Sequence, residues 1–462
     1  MFLLRKIRRR IKGILAIFAA ITVAFSVGGN DSQSEPVSET KGLILSTTQS
    51  KTTETPENET TVLSAESGTY IILADDMTII KGKGASFADG VVTVSKSGTY
   101  SFKGELKDGR ILVDLKDDGE VKLNFYGVNV NSTKGAPLSV IKAPDKAVLY
   151  FDERTVNDFS DTEDRVYTYD EDTGDSAVIF SKEDIVFEGG GLVRIRADFN
   201  KGVFSKKDIT LSGSKIDIVS FDDGIRCNET LRIKNSEVGL ASGGDGIHAA
   251  ENNMGKYGKV IIADSNISYI GSSDGIDSVG DILFYGGEAD FLISGRSTGK
   301  YFRKNHSSVL DDSKAPDMNK NDILSAGRAT ADSSTFENAM GQKTENAAVT
   351  VGGDVVFNDV NLKINSAYHG IIGDNIEMEN GFCSVRSDGN GLFAKGEVSL
   401  DGIKINISDC YNGIECEEGQ FSDANILINA FNKGIICTEE KPDFEDTTVE
   451  IKDKRSTIPH KP

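Results

Sequence analysis

From Gly202 onward, apolar residues return at fixed places. Counting from Gly202 as zero, Val203, Ile209, Leu211, Ile216 and Ile218 fall at steps 1, 7, 9, 14 and 16. Counting from Gly224, the same steps hold Ile225, Leu231, Ile233, Val238 and Leu240. Counting from Gly391, they hold Leu392, Val398, Leu400, Ile405 and Ile407, and Ala348 opens a further stretch of the same kind. Gly246, Gly275, Gly370, Gly413 and Gly434 begin others with small changes in length. Upstream, "AVIFSKEDIVF" lines up with "KGVFSKKDITL", so Val178 takes the glycine's place. The pairs at 7/9 and 14/16 show the alternation of half-buried strands. Turn residues such as "SGS" at 212–214 and "KNS" at 234–236 separate them.

A unit of about 22 residues with three short strands has no interior of its own and must stack on copies of itself. The pattern therefore predicts an all-β, right-handed parallel β-helix with about 22 residues per coil. Like residues would sit about 4.8 Å apart along the stack. A leucine-rich repeat of similar period would carry a Leu/Asn signature and a helical stretch, and neither is present.

The rest of the chain departs from this period. Residues 68–175 contain strand patterns such as "VVTVS", "TYSFKG" and "AVLYF" at less regular spacing, as expected of a capping β region with the first coils. Regular coils are expected over 176–295 and again over 346–462. Between them, 296–345 is polar and lacks alternation, which reads as an insertion between two runs of coils or a loop thrown out from one continuous stack. At the N-terminus, a basic start precedes an apolar run from Ile14 to Gly29, the pattern of a signal peptide or signal anchor over 1–29. The Ser/Thr/Glu-rich segment 30–67 reads as a flexible stalk. Together these place the protein outside the cell or on its surface, touching membrane only through the N-terminal segment if that is uncleaved.

In a stack, one step is one column. Step 3 holds only small residues, among them Cys227, Cys416 and Cys437, which reads as an inward corner with buried free thiols. No Cys/His cluster suggests zinc. The step before the glycine reads Lys201, Asp223, Asp245, Asp274, His369, Asn390, Asn412 and Lys433. Asp or Asn before Gly makes a good turn, since Asx side chains bond nearby backbone. Yet three stacked carboxylates repel one another, and Ca²⁺ is the hard, oxygen-seeking ion that would neutralise them. The candidate ligands are Asp222, Asp223, Asp245, Asp274 and Asp277. Step 2 brings Arg226, His248 and Asp277 to the same strip. Lys182 and Lys206 lie on coils just before it, and these basic residues are the candidates for contacting a substrate.

Bulk composition narrows the function. The formal net charge of −21 excludes a nucleic-acid binder, which needs a basic footprint. The absence of Trp weakens any platform that stacks flat rings on neutral sugars.

The stretches "GTYSFKGELKDGRILVD", "VKLNFYGVNVNS", "SAVIFSKEDIVFEGGGLVRI", "FDDGIRCNETLRI" and "GGDGIHAAENNMGKYGKVII" resemble secreted clostridial carbohydrate-binding domain-containing proteins. The resemblance runs from about Gly68 to Gly295 and implies a parallel β-helix similar in fold to pectate lyases. It also implies binding of plant cell-wall polysaccharide, acidic sugars included, with bound calcium. The family's DDG and GDG motifs correspond to Asp222, Asp223, Gly224, Asp245 and Gly246. Where the family follows "DDGI" with a Gly-Lys-Asp step, this chain has "RCNET".

Three functions follow from these readings. The first is a calcium-assisted binder of acidic polysaccharide. The second is a lyase on the same fold, in which Ca²⁺ neutralises a uronate and Arg226, Lys206 or Lys182 removes the α-proton. The third is a surface fibre or adhesin that needs only the repeat and the stalk.

Overall fold

The computed structural model describes residues 68–165, 177–250, 258–293, 347–366 and 368–453. Residues 1–29, read as a signal, 30–67, read as a stalk, and 296–345, read as an insertion, lie outside these residues. No helix occurs among the described residues, and therefore none long and apolar enough to cross a membrane.

The chain is all-β. From Val91 onward, each described strand pairs in parallel with its counterpart one repeat away, so three ladders grow side by side. The first joins Ala177–Ser181, Lys201–Ser205, Ile225–Cys227, Ile247–Ala249, Ile276–Ser278 and Ala347–Val351. The second joins Ile185–Glu188, Ile209–Ser212, Thr230–Lys234 and the front of Lys259–Gly271. The third joins Leu192–Ala197, Lys215–Ser220, Glu237–Ser242 and the back of Lys259–Gly271. The register is the one the sequence steps predict: Val203 faces Ile225, Ile225 faces Ile247, and Ile247 faces Ile276. Ile209, Ile216, Leu231, Ile233 and Val238 are all buried.

Parallel pairing starts well before residue 176. Gly98–Leu106 pairs with Val121–Ser132, which pairs onward with Val156–Asp161. Here the core is aromatic, with Phe102, Phe125, Phe151 and Phe187 stacked ring on ring at 5.1–6.0 Å. The irregular sequence spacing reflects a bulge between Phe102 and Gly104. Among the described residues, only Thr69–Leu73 with Ile79–Lys81, and Ala85–Ala88 with Val91–Val94, pair antiparallel. The ladders also run unbroken across the insertion. Ile276 faces Val349 and Ile282 faces Val355.

Turn chemistry recurs once per rung. Gly213, Asn235, Asp264, Gly286, Asp359, Asn380, Gly402 and Asp423 all have φ between 47° and 69°. They occupy the turn between the second and third strands. This is left-handed backbone, which Gly adopts freely and Asn and Asp tolerate best among residues with a Cβ. The five cysteines are free, four of them buried and Cys437 half-buried. Cys416 and Cys437 face each other in register with Sγ atoms 3.5 Å apart.

Candidate functional site

The Asp-Gly-Ile step sits where the third strand of one rung turns into the first strand of the next. Its glycine is dictated by close approach. A Cβ at Gly224 would lie 2.6 Å from the Gly246 carbonyl oxygen, and one at Gly246 would lie 2.6 Å from the Gly275 oxygen. The apolar residue that follows turns inward to the core.

The aspartate has a structural task first. The Asp245 amide donates to Asp223 Oδ1, the Asp274 amide to Asp245 Oδ1, and the Ala347 amide to Asp274 Oδ1, each at 3.1 Å. Each carboxylate thereby satisfies the backbone of the next rung. The same device recurs past the far end of the short strands. There Asp184 accepts from the Asp208 amide and Asp208 from the Thr230 amide. Asp223 and Asp274 are buried as a result.

The other oxygens meet cations of the protein. Arg226 donates to Asp223 Oδ2 at 3.2 Å. Lys201 forms an ion pair with Asp222 and lies 3.9 Å from Asp223 Oδ2. His248 Nδ1 sits 3.0 Å from Asp245 Oδ2 and 3.2 Å from Asp277 Oδ2. Ser273 Oγ donates to Asp245 Oδ1 at 2.6 Å. One atom each from Asp223, Asp245 and His248 lie within 4.8 Å of one another, close enough to share an ion.

Titration follows from these contacts. Burial is the largest single influence on Asp245 and pushes it up, but hydrogen bonds from His248 and Ser273 together hold it below its ordinary value. For His248, burial opposes protonation most strongly. The bond to Asp245, aided by Asp277, nevertheless holds the imidazole above its ordinary value. Burial, then the charge of Asp222, raises Asp223. Burial raises Asp277 against the pull of His248. Asp274 is pushed up to about 8, chiefly by burial, despite a hydrogen bond from Thr350. At neutral pH the strip therefore pairs an ionised Asp245 with a His248 inclined to hold its proton, beside an Asp274 inclined to stay neutral.

Of the nine residues singled out from sequence, the structure gathers Asp222, Asp223, Asp245, Asp277, Arg226 and His248 into one network. Asp274 adjoins it but bonds instead to the next rung, at the Ala347 amide and Thr350. Lys182 and Lys206 do not join it. Both follow the first-ladder strands, whereas the aspartates precede them, and five residue steps at about 3.3 Å separate the two ends. Two members were missed, Lys201 and Ser273. The signal for Lys201 was its place in the Asp column one rung earlier. Three rungs on, the roles invert: Asn390 and Asn412 each donate from Nδ2 to Glu415 Oε2 at 2.9 Å.

Stacked parallel strands edged by a strip of alternating acid and base define the class, an all-β protein with a charged edge on its ladders. The chain belongs to the carbohydrate-binding domain-containing protein family, whose model matches residues 88–327. A carbohydrate-binding domain-containing protein of Acetivibrio thermocellus is 33% identical over 135 residues, which cover 29% of this chain and 47% of that protein. The match thus spans about half of that relative. A solved polysaccharide lyase-like protein from C. thermocellum, a gadolinium derivative, is 27% identical with a TM-score of 0.46. That match covers 49% of this chain and 92% of the other. The family takes its name from carbohydrate binding.

Proposed function

We propose that this is a secreted or cell-surface right-handed parallel β-helix protein that binds acidic plant cell-wall polysaccharide with the help of calcium. The observation that carries this reading is the cluster of Asp223, Asp245 and His248, with Asp277 also in contact with His248, on one edge of a carbohydrate-binding chain. The donor set fits a hard cation in its carboxylates, since Ca²⁺ takes oxygen ligands. The imidazole of His248 and the guanidinium of Arg226 do not suit Ca²⁺. They neutralise the strip in its absence and would turn aside in its presence. Asp222 is held by Lys201 and Asp274 is inclined to stay neutral, so Asp223, Asp245 and Asp277 are the residues assigned to the ion. A bound Ca²⁺ would bridge protein carboxylates to uronate carboxylates. Arg226 and a protonated His248 would add charge-assisted hydrogen bonds to the same groups.

An ion that binds only the folded chain stabilises it by mass action. Addition of a chelator should therefore lower the melting temperature, and Asp245→Ala should remove most of that sensitivity and weaken retention on polygalacturonate. A wild-type melting curve indifferent to both chelator and added Ca²⁺ sinks the calcium assignment. Absorbance of an unsaturated product during the same incubation would show a lyase instead.

A further inference from the structure

A second site lies on the outer face of the third ladder, away from the Asp-Gly turns. It is a trough of about 510 Å³ that crosses successive rungs from Lys215 to Lys363. That volume lies in the range of sites that enclose small ligands. Its origin is local. The outward row runs Asp217, Gly239, Ser268, Asp290, Lys363 in strict register. Gly239 and Ser268 leave a gap between the larger side chains on either side. A Cβ at Gly239 would meet Asp217 Oδ1 at 2.7 Å, so the Asp217 carboxylate already leans over the gap. At about 4.8 Å per rung, the row spans roughly 20 Å, the reach of a short run of linked sugars rather than one.

The lining decides the ligand. Four carboxylates (Asp217, Glu237, Glu288 and Asp290) face two ammonium groups, Lys215 and Lys363. Asn266, Ser268 and Asn361 supply uncharged donors and acceptors. No aromatic ring lines the trough. An acidic polymer would bring its charges within a Debye length, about 8 Å, of those carboxylates. A cationic polymer would meet a lysine at each end. Sugar hydroxyls suit the lining, because a hydroxyl donating to a carboxylate makes a charge-assisted bond.

We propose that this trough binds an uncharged, hydroxyl-rich glycan chain laid along the stack, separate from the acidic-glycan strip at the Asp-Gly turns. The proposal rests on the carbohydrate-binding reading and adds a second ligand class to it. The two sites would let one chain hold two kinds of polymer in the same wall. Without ring stacking, each sugar contact is weak, and retention comes from several rungs engaging one chain together.

The test is native gel retardation in hydroxyethylcellulose, galactomannan and xylan as neutral probes, with polygalacturonate plus Ca²⁺ as the acidic probe. Ser268 is exposed, so Ser268→Arg should fold with an unchanged melting temperature while filling the trough. It should weaken retention by neutral probes at least fivefold and leave polygalacturonate binding unchanged. Asn266→Ala should weaken neutral retention in the same direction. Asp245→Asn should do the reverse. Polygalacturonate binding without retardation by any neutral probe overturns the trough and leaves the acidic strip standing. Failure with every probe overturns the carbohydrate reading itself. Stronger retention by chitosan than by any neutral glycan, or neutral retention unmoved in Ser268→Arg, also overturns the proposal.

Discussion

Asp274 shows how one side chain can serve the backbone and still cost the fold. It accepts the Ala347 amide, yet it is buried and its carboxyl is raised to about 8. The unfolded chain releases that proton near pH 4, whereas the folded chain keeps it to about 8. This contribution to stability is therefore complete below pH 4 and is lost progressively as pH climbs toward 8. Asn390 and Asn412 fill the same column without a charge. Asp274→Asn should accordingly flatten the pH dependence of unfolding over that window and raise stability at pH 8 by roughly 1–3 kcal/mol. Urea melts at pH 5 and pH 8 check this, and an unchanged difference between the two pH values refutes it. The aspartate column was legible in the sequence because its step recurs. Its chemistry was only half legible. Spacing tells that Asp223, Asp245 and Asp274 share an edge, but not that one oxygen of each belongs to the next amide. Nor does spacing reveal that Lys201, Arg226 and His248 already offset much of the repulsion for which calcium was invoked.

At the scale of the strand, the pattern was read almost completely. Steps 1, 7, 9, 14 and 16 point inward because each three-strand unit buries only one face, and a slip of one residue would expose all of them. Ile233 illustrates the cost of disturbing that face. It is 1% exposed, with Leu211 in register on one side and Ile262 on the other. Ile233→Ala should destabilise by roughly 2–5 kcal/mol in chemical denaturation, with little change in glycan retention. A loss below about 1 kcal/mol would show that the column collapses to fill the gap. The early strands were harder to read. Between 98 and 161 the rungs vary in length, and the Phe102–Phe125–Phe151–Phe187 stack carries the repeat where no Gly step marks it. The buried Asp161–Arg165 pair in that region left no periodic trace in the sequence.

For the molecule as a whole, the parallel pairing of every rung with the next has a mechanical consequence. Hydrogen bonds between rungs point from one rung to the next, so a pull on the two ends loads them one ladder row at a time. Each rung touches chiefly its neighbours, and its stability is largely its own plus two shared faces. Under tension such a stack should yield stepwise, each rung paying out about 22 residues, or roughly 70 Å of extended chain. Optical-tweezer traces should show a run of short extensions rather than one cooperative rip, and a single rip would contradict the idea. Held between two anchors, a chain built this way would dissipate load, lengthening under drag before it lets go.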